Sequence, residues 1–177
     1  MMMKLRTLLP DTRAAAAAEM VLVTPMLLTL MLGSAELGNY MLTEHAVVKQ
    51  VRDGARYASR LTLAKTGYAC PGSVFDDGSA ETNIINVTKT GSVDGAATGR
   101  FPNAFWVACS GSPQAVSVSI RCVSKADYGG IYSSLDGDIP VVTVSADVAY
   151  PSLFASLGFN TASLCLHAKS ESAAYGL

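Results

Sequence analysis

Residues 13–27, RAAAAAEMVLVTPML, form an almost wholly apolar run that contains one carboxylate, Glu19. The run belongs to a longer segment, Ala14–Gly33, in which Glu19 is the only charged residue. At about 1.5 Å per residue, a helix of this length crosses a hydrocarbon core of roughly 30 Å. The segment therefore predicts a membrane-spanning helix, and Pro25 is expected to kink it at a cost that membrane helices tolerate.

The charges before this segment predict its orientation. Lys4, Arg6 and Arg13 precede it, against one acid, Asp11. Because positive flanks stay on the cytoplasmic side, the N-terminus is predicted to be cytoplasmic and the rest of the chain to lie across the membrane.

Three fates of the N-terminus fit the residues. The apolar helix is a permanent anchor, or a secretory signal cut after Ala35, with small Gly33 and Ala35 near the cut, or the anchor left when a short leader is removed. The third accounts for Glu19. Cleavage between Ala14 and Ala15 creates an amine on Ala15, which Glu19 of a neighbouring, staggered helix can meet. An unpaired acid in the membrane costs roughly 2.5–3.5 kcal/mol.

Residues 36–64 are predicted to continue the helix beyond the membrane, because apolar residues recur at spacings of three and four. This stripe consists of Leu37, Tyr40, Met41, Val47, Val48, Val51, Ala55, Ala58 and Leu61. Arg52, Arg56 and Arg60 repeat at spacings of four on the remaining surface, where they either meet acids on a partner or form a solvated face.

Residues 65–177 are predicted to form a β-rich head, since turn-rich sequence follows the helix. Alternation of apolar and polar residues predicts strands at residues 114–123, 139–150 and 160–173, and a weaker one at 82–90. A small antiparallel sheet with one apolar face needs a cover, and the helix stripe can supply it. The predicted fold class is α+β.

The cysteines Cys70, Cys109, Cys122 and Cys165 all lie in the predicted head. An even count outside the membrane favours two disulfides over four free thiols. The bridges considered are Cys70–Cys109, Cys70–Cys165 and, if Cys109 lies in a loop, Cys109–Cys122. Four cysteines allow three pairings, and the sequence does not choose among them.

The sequence suggests no enzyme chemistry, no metal site and no cofactor. No CxxC pair is present, so a zinc site is not expected. His45 and His167 are predicted to be surface residues, because no cysteine or acid lies at metal-ligand spacing from them. For the acids Asp76, Asp77, Asp136 and Asp138, ordinary Asp-Gly turns are predicted in preference to weak calcium sites, because the twelve-residue calcium-loop pattern with its terminal Glu is absent. The net charge of −1 provides no footprint for nucleic acid.

Residues 13–60 resemble the N-terminal segment of TadE-like proteins, minor pilins or pseudopilins of the tight-adherence (Tad, or Flp) type IV pilus system. The resemblance consists of a basic residue, an Ala-rich step, Glu19, Pro25, a G-x-x-E-L-G element that includes Glu36, and the RDGARYA element at 52–58. Residues 140–173 are also similar to the terminal strands of that family. Two departures are Ala14, where many prepilins have Gly, and Met20, where an aromatic residue is common.

The resemblance implies a type IV pilin-like fold and four regions. They are a leader at residues 1–14, the membrane half of the helix at 15–35, its outer half at 36–64 and the head at 65–177. A prepilin peptidase would cut at Ala14–Ala15, and Glu19, Pro25 and Glu36 would serve assembly. The implied partners are other pilin subunits and an inner-membrane assembly platform.

The function that follows is that of a structural minor pilin for adhesion and surface attachment, first in the bacterial inner membrane and then in the pilus. Two other classes stay open. One is a single-pass, membrane-anchored envelope domain that does not polymerise, and the other is a secreted binding domain.

Overall fold

A computed structural model describes residues 12–61, 70, 78–96, 99–127, 130–132, 137–158 and 164–175. In chain order, the helices and strands are α1 (Thr12–Ser59), α2 (Gly78–Thr90), β1 (Val116–Val123), β2 (Ile139–Ala149) and β3 (Cys165–Ala173). The chain divides into a first unit, residues 1–39, and a second unit, residues 40–177. Predicted features at residues 1–11, including most of the leader, lie outside the described residues, as do Asp76, Asp77 and Asp136.

The first unit contains the N-terminal part of α1, which runs through Pro25 without ending. Every side chain from 15 to 35 is exposed within the chain. The long N-terminal helix expected from the apolar segment is thus confirmed.

The second unit contains an antiparallel sheet in the order β1-β2-β3, so that β2 is central. Val118 is opposite Val144 in one pair of strands, and Val148 is opposite Leu166 in the other. The three strongly alternating segments are therefore the three strands, as predicted, and the α+β class is confirmed.

The core of the second unit joins the outer part of α1 to one face of this sheet. Val47, Val51, Ala55 and Ala58 of α1 are buried in one cluster with the inward residues of the strands. Those strand residues include Val116, Ile120, Val142, Val144, Ala146, Val148 and Leu166. The outer stripe of the helix is thus the cover that the apolar face of the sheet requires.

The predicted place in the covering stripe is wrong for two residues, which are exposed. Leu37 is 57% exposed and Met41 is 52% exposed. The described core includes α1 residues only from Tyr40 onward, and Met41 is not among them. Helical spacing identifies a stripe, but it does not show where along the helix the covering sheet begins.

The end of α1 also differs from the prediction. The helix ends at Ser59, and Arg60 and Leu61 form a turn, whereas the sequence predicted a helix through Ala64. The backbone carbonyl of Ser59 accepts a hydrogen bond from the Tyr175 N–H at 3.0 Å. The C-terminal segment therefore satisfies one of the carbonyls that a helix end leaves open.

The weak strand predicted at residues 82–90 is wrong, because this segment lies in helix α2. Its buried residues Ala80, Ile84 and Thr88 recur at intervals of four, which is the helical period. Gly54 of α1 lies against Thr88, and a Cβ placed on Gly54 would be 3.1 Å from the Thr88 Cβ. The two helices therefore meet at a close contact that a glycine permits.

The cysteines form two disulfides, Cys70–Cys122 and Cys109–Cys165, each with Cα atoms 5.8 Å apart. The prediction of two disulfides is confirmed, but the individual bridges considered from the sequence are not those that form. Cys109 pairs with the end of β2, where its N–H donates to the Asp147 carbonyl at 3.0 Å. Cys165 lies opposite Ala149 on the other side of β2, so the bridge spans the end of the central strand.

Candidate assembly helix and sheet surface

The first candidate surface is the membrane-length part of α1. Its large apolar side chains are mostly open, and Leu22 is 78% exposed within the chain. Within the described residues, α1 is the helix that is long and apolar enough to cross a membrane. Such an apolar surface requires lipid or other helices around it.

Two hydroxyl groups in this apolar segment are satisfied by the helix itself. The Thr29 hydroxyl donates to the Met26 carbonyl, and the Ser34 hydroxyl donates to the Met31 carbonyl, both at 2.9 Å. A hydroxyl without a partner is costly in lipid. These local bonds therefore make the segment more compatible with a membrane than its composition indicates.

The sequence-predicted assembly residues all lie on α1. Glu19 is exposed within the chain, Pro25 is inside the helix, and Glu36 is half-buried. The bond between Ala14 and Ala15 lies in the same helix, which begins at Thr12. The cleavage of this bond and the pairing of Glu19 with a neighbouring amine stay predictions.

The second candidate surface is the polar face of the sheet. Arg121 of β1 contacts Glu171 of β3 with Nη2 and Oε2 2.9 Å apart, and Lys169 contacts the other carboxylate oxygen at 2.8 Å. The Lys169 ammonium, together with the Arg121 guanidinium, lowers the pKa of Glu171 to about 2. Exposed ion pairs of this kind contribute little stability, but charged side chains on an edge strand hinder pairing with another sheet.

His167 also lies on this face, where its Nδ1 is 2.5 Å from the Asp147 carboxylate. The histidine side chain is 67% exposed, which confirms the predicted surface position, and His45 is exposed as well. Among the described residues, no group of three or more His, Cys, Asp or Glu side chains is arranged to hold a metal ion.

Sequence reasoning missed this cluster of charges. The alternation of apolar and polar residues in β1 and β3 was visible in the sequence and indicated which side chains lie on the polar face. It did not indicate that Arg121 and Glu171 reach each other across β2, because their contact depends on the register of three strands.

The comparison with protein families concerns the long helix. Residues 14–56 match the family model of TadE-like proteins. The N-terminal helix is TadE-like. The matched residues include Glu19, Pro25 and Glu36. No curated protein and no solved structure matches the chain. The similarity expected for residues 140–173 lies outside the matched residues and stays a prediction.

Proposed function

We propose that this TadE-like chain is a minor pilin of a Tad pilus. It is made as a membrane-anchored precursor, trimmed by a prepilin peptidase between Ala14 and Ala15, and assembled with other pilin subunits on an inner-membrane platform. Its N-terminus is cytoplasmic, its head is periplasmic and then part of the pilus, and it acts by packing and adhesion rather than by catalysis. The main support is that the TadE-like match coincides with a helix whose apolar side chains are uncovered over residues 15–35.

Small residues on this helix support assembly through helix packing. A Cβ placed on Gly33 or Gly38 would meet no atom within 4 Å, so these glycines are not required by contacts within the described chain. Alanines occupy positions 15–18. In lipid, small residues let helix backbones approach closely, which is a main source of helix association.

Glu19 supplies the electrostatic part of the proposal. Trimming at Ala14–Ala15 makes Glu19 the fifth residue of the mature chain and gives Ala15 a positive amine. In a stack of parallel, staggered helices, the carboxylate of one subunit pairs with the amine of the next. Both charges are then neutralised in an apolar environment, where an unpaired charge is unfavourable.

The start of the mature chain tests the function. We expect intact mass and N-terminal sequencing of protein isolated from the envelope to give a chain that begins at Ala15. A chain that begins at Met1 would indicate an anchored domain that does not polymerise. A chain that begins at Glu36 would indicate a secreted domain, and either result rejects the proposal.

Substituting Glu19 tests the pairing. With Glu19→Gln, we expect recovery of the chain with other pilins to fall by about tenfold or more, since each loss of roughly 1.4 kcal/mol is a factor of ten. The head should still form both disulfides, which a non-reducing gel shows. Glu81→Gln, a carboxylate on α2 outside the apolar segment, is the matched control. Equal recovery of wild type and Glu19→Gln would exclude the assigned role.

A further inference from the structure

A row of basic side chains lies on the outer part of α1 in the second unit. His45, Lys49, Arg52 and Arg56, here called the basic ridge, are all exposed. At about 3.6 residues per turn, these four positions fall within about 60° of the helix circumference. The buried residues Val47, Val51, Ala55 and Ala58 lie on the other side of the helix. The basic ridge is therefore presented away from the core.

The basic ridge borders a groove of about 480 Å³ lined by its own four residues, Val48 and Asp53. The carboxylate of Asp53 is the acid in this lining, and it lies 3.9 Å from the Arg56 guanidinium. Like charges at intervals of four on a helix repel each other. One acid shared among three full cations leaves a surplus of positive charge along the groove.

A second copy of this chain offers no matching row of acids on the described part of the second unit outside α1. Glu171 contacts Lys169 and Arg121, Asp147 contacts His167, and Asp94 accepts a hydrogen bond from the Ala96 N–H at 3.1 Å. The remaining described acidic residues outside α1, Glu81, Asp127 and Asp138, lie on separate segments. The partner is therefore taken to be a different chain, and a second copy of this chain is one outcome of the test.

We propose that the basic ridge is the docking surface for an acidic helix of a partner protein, with Glu or Asp at alternating intervals of three and four. That spacing places carboxylates in one row on a helix, opposite Lys49, Arg52 and Arg56. We expect this partner to be another component of the same pilus system, and only that expectation rests on the proposed function.

The test uses the full chain in detergent micelles and a defined probe. The probe is a stapled, Ala-rich helix with four Glu residues in one row, and its control is a helix of identical composition with the Glu residues spread around all sides. Binding is measured by fluorescence anisotropy at low and high salt. We expect the one-row helix to bind about tenfold more tightly than its control, because several exposed ion pairs add together. High salt should remove this preference.

Charge reversal on the basic ridge provides the matched comparison. We expect Arg52→Glu with Arg56→Glu to abolish the preference for the one-row helix. Lys89→Glu with Lys125→Glu makes the same change in net charge away from the basic ridge and should preserve it. Both disulfides, seen on a non-reducing gel, report folding, and Arg52→Gln with Arg56→Gln replaces the reversal variant if that variant misfolds.

Three results would overturn the inference. The first is equal binding of the two helices, or equal loss in both double variants. The second is that Arg52→Glu with Arg56→Glu weakens binding to phosphatidylglycerol vesicles and leaves binding of the one-row helix unchanged. That result would make the basic ridge a lipid contact. The third is that the wild type self-associates in sedimentation and Arg52→Glu with Arg56→Glu does not. That result would make the partner a second copy of this chain. The binding test uses a synthetic helix and does not depend on the pilus. If the one-row helix shows no preferential binding while the mature chain begins at Ala15, this inference is rejected and the proposed function stands.

Discussion

Replacing Gly54 by alanine is expected to destabilise the second unit by about 1–3 kcal/mol, the usual cost of overpacking a core. The new Cβ would overlap the Thr88 hydroxyl and lie 3.1 Å from the Thr88 Cβ. Thr88 is fully buried, and its hydroxyl donates to the Ile84 carbonyl at 2.8 Å, so turning it away sacrifices a bond worth about 1 kcal/mol. Alanine gains about 0.8–1.0 kcal/mol in helix propensity, which offsets only that lost bond.

Urea unfolding of the full chain in detergent measures this effect, with the fluorescence of Trp106, the one tryptophan, as a signal from the second unit. Gly38→Ala is the matched control on the same helix, because a Cβ there meets no atom within 4 Å. We also expect Gly54→Ala to cost less in a Thr88→Ala background, since the overlapping hydroxyl is then absent. A Gly54 variant as stable as the Gly38 variant would show that the helices do not meet as described.

Removing either disulfide is expected to destabilise the second unit by about 4 kcal/mol, as chain entropy predicts for loops of this length. Cys70 and Cys122 are separated by 52 residues, and Cys109 and Cys165 by 56. Long loops leave an uncrosslinked chain many conformations to lose on folding. Since small domains are stable by only about 5–15 kcal/mol, loss of both bridges is expected to unfold a large fraction of the molecules.

The paired variants Cys70→Ala with Cys122→Ala and Cys109→Ala with Cys165→Ala separate the two bridges. Their urea midpoints, read from Trp106, are compared with those of the wild type with and without reductant. Reductant should lower the wild-type midpoint by more than either pair of substitutions does, and it should have no effect on a chain that lacks all four thiols. A wild-type midpoint that does not respond to full reduction would contradict this expectation.

The sequence was sufficient for the parts of the fold that depend on periodicity. Val144, Ala146 and Val148 alternate with more polar residues in β2, and the face on which they lie is buried as the pattern requires. Val47, Val51, Ala55 and Ala58 form the buried stripe of α1. In both elements, the hydrophobic effect imposes the period of the backbone on the choice of side chains.

Helix α2 could not be recognised by the same means. The segment TNIINVTKT is rich in β-branched residues, which favour strands. In the structure, the hydroxyls of Thr82, Thr88 and Thr90 donate to carbonyls four residues earlier, at 3.2, 2.8 and 2.9 Å. Burial of Ile84 in the common core and of Thr88 against Gly54 favours the helix, so that tertiary contacts override a local preference.

The disulfide pairing and the charge cluster on the sheet depend on contacts between distant segments. Cys109 meets Cys165 because both approach the end of β2 from opposite sides. Arg121 reaches Glu171 because β1 and β3 have particular registers on β2. A pattern within one segment contains no information on either arrangement, whereas Glu19, Pro25 and Glu36 could be selected because they are exceptions within one continuous helix.

The bond from the Tyr175 N–H to the Ser59 carbonyl has a consequence for biogenesis. The outer part of α1 is synthesised early, yet its end is completed by a segment synthesised more than a hundred residues later. Val47, Val51 and Ala55 therefore stay uncovered while the nascent chain emerges, and their final partners in β3 arrive last. Long-range closure of this kind is slow and leaves apolar surface open to aggregation. During its synthesis, the protein is thus expected to depend on chaperones.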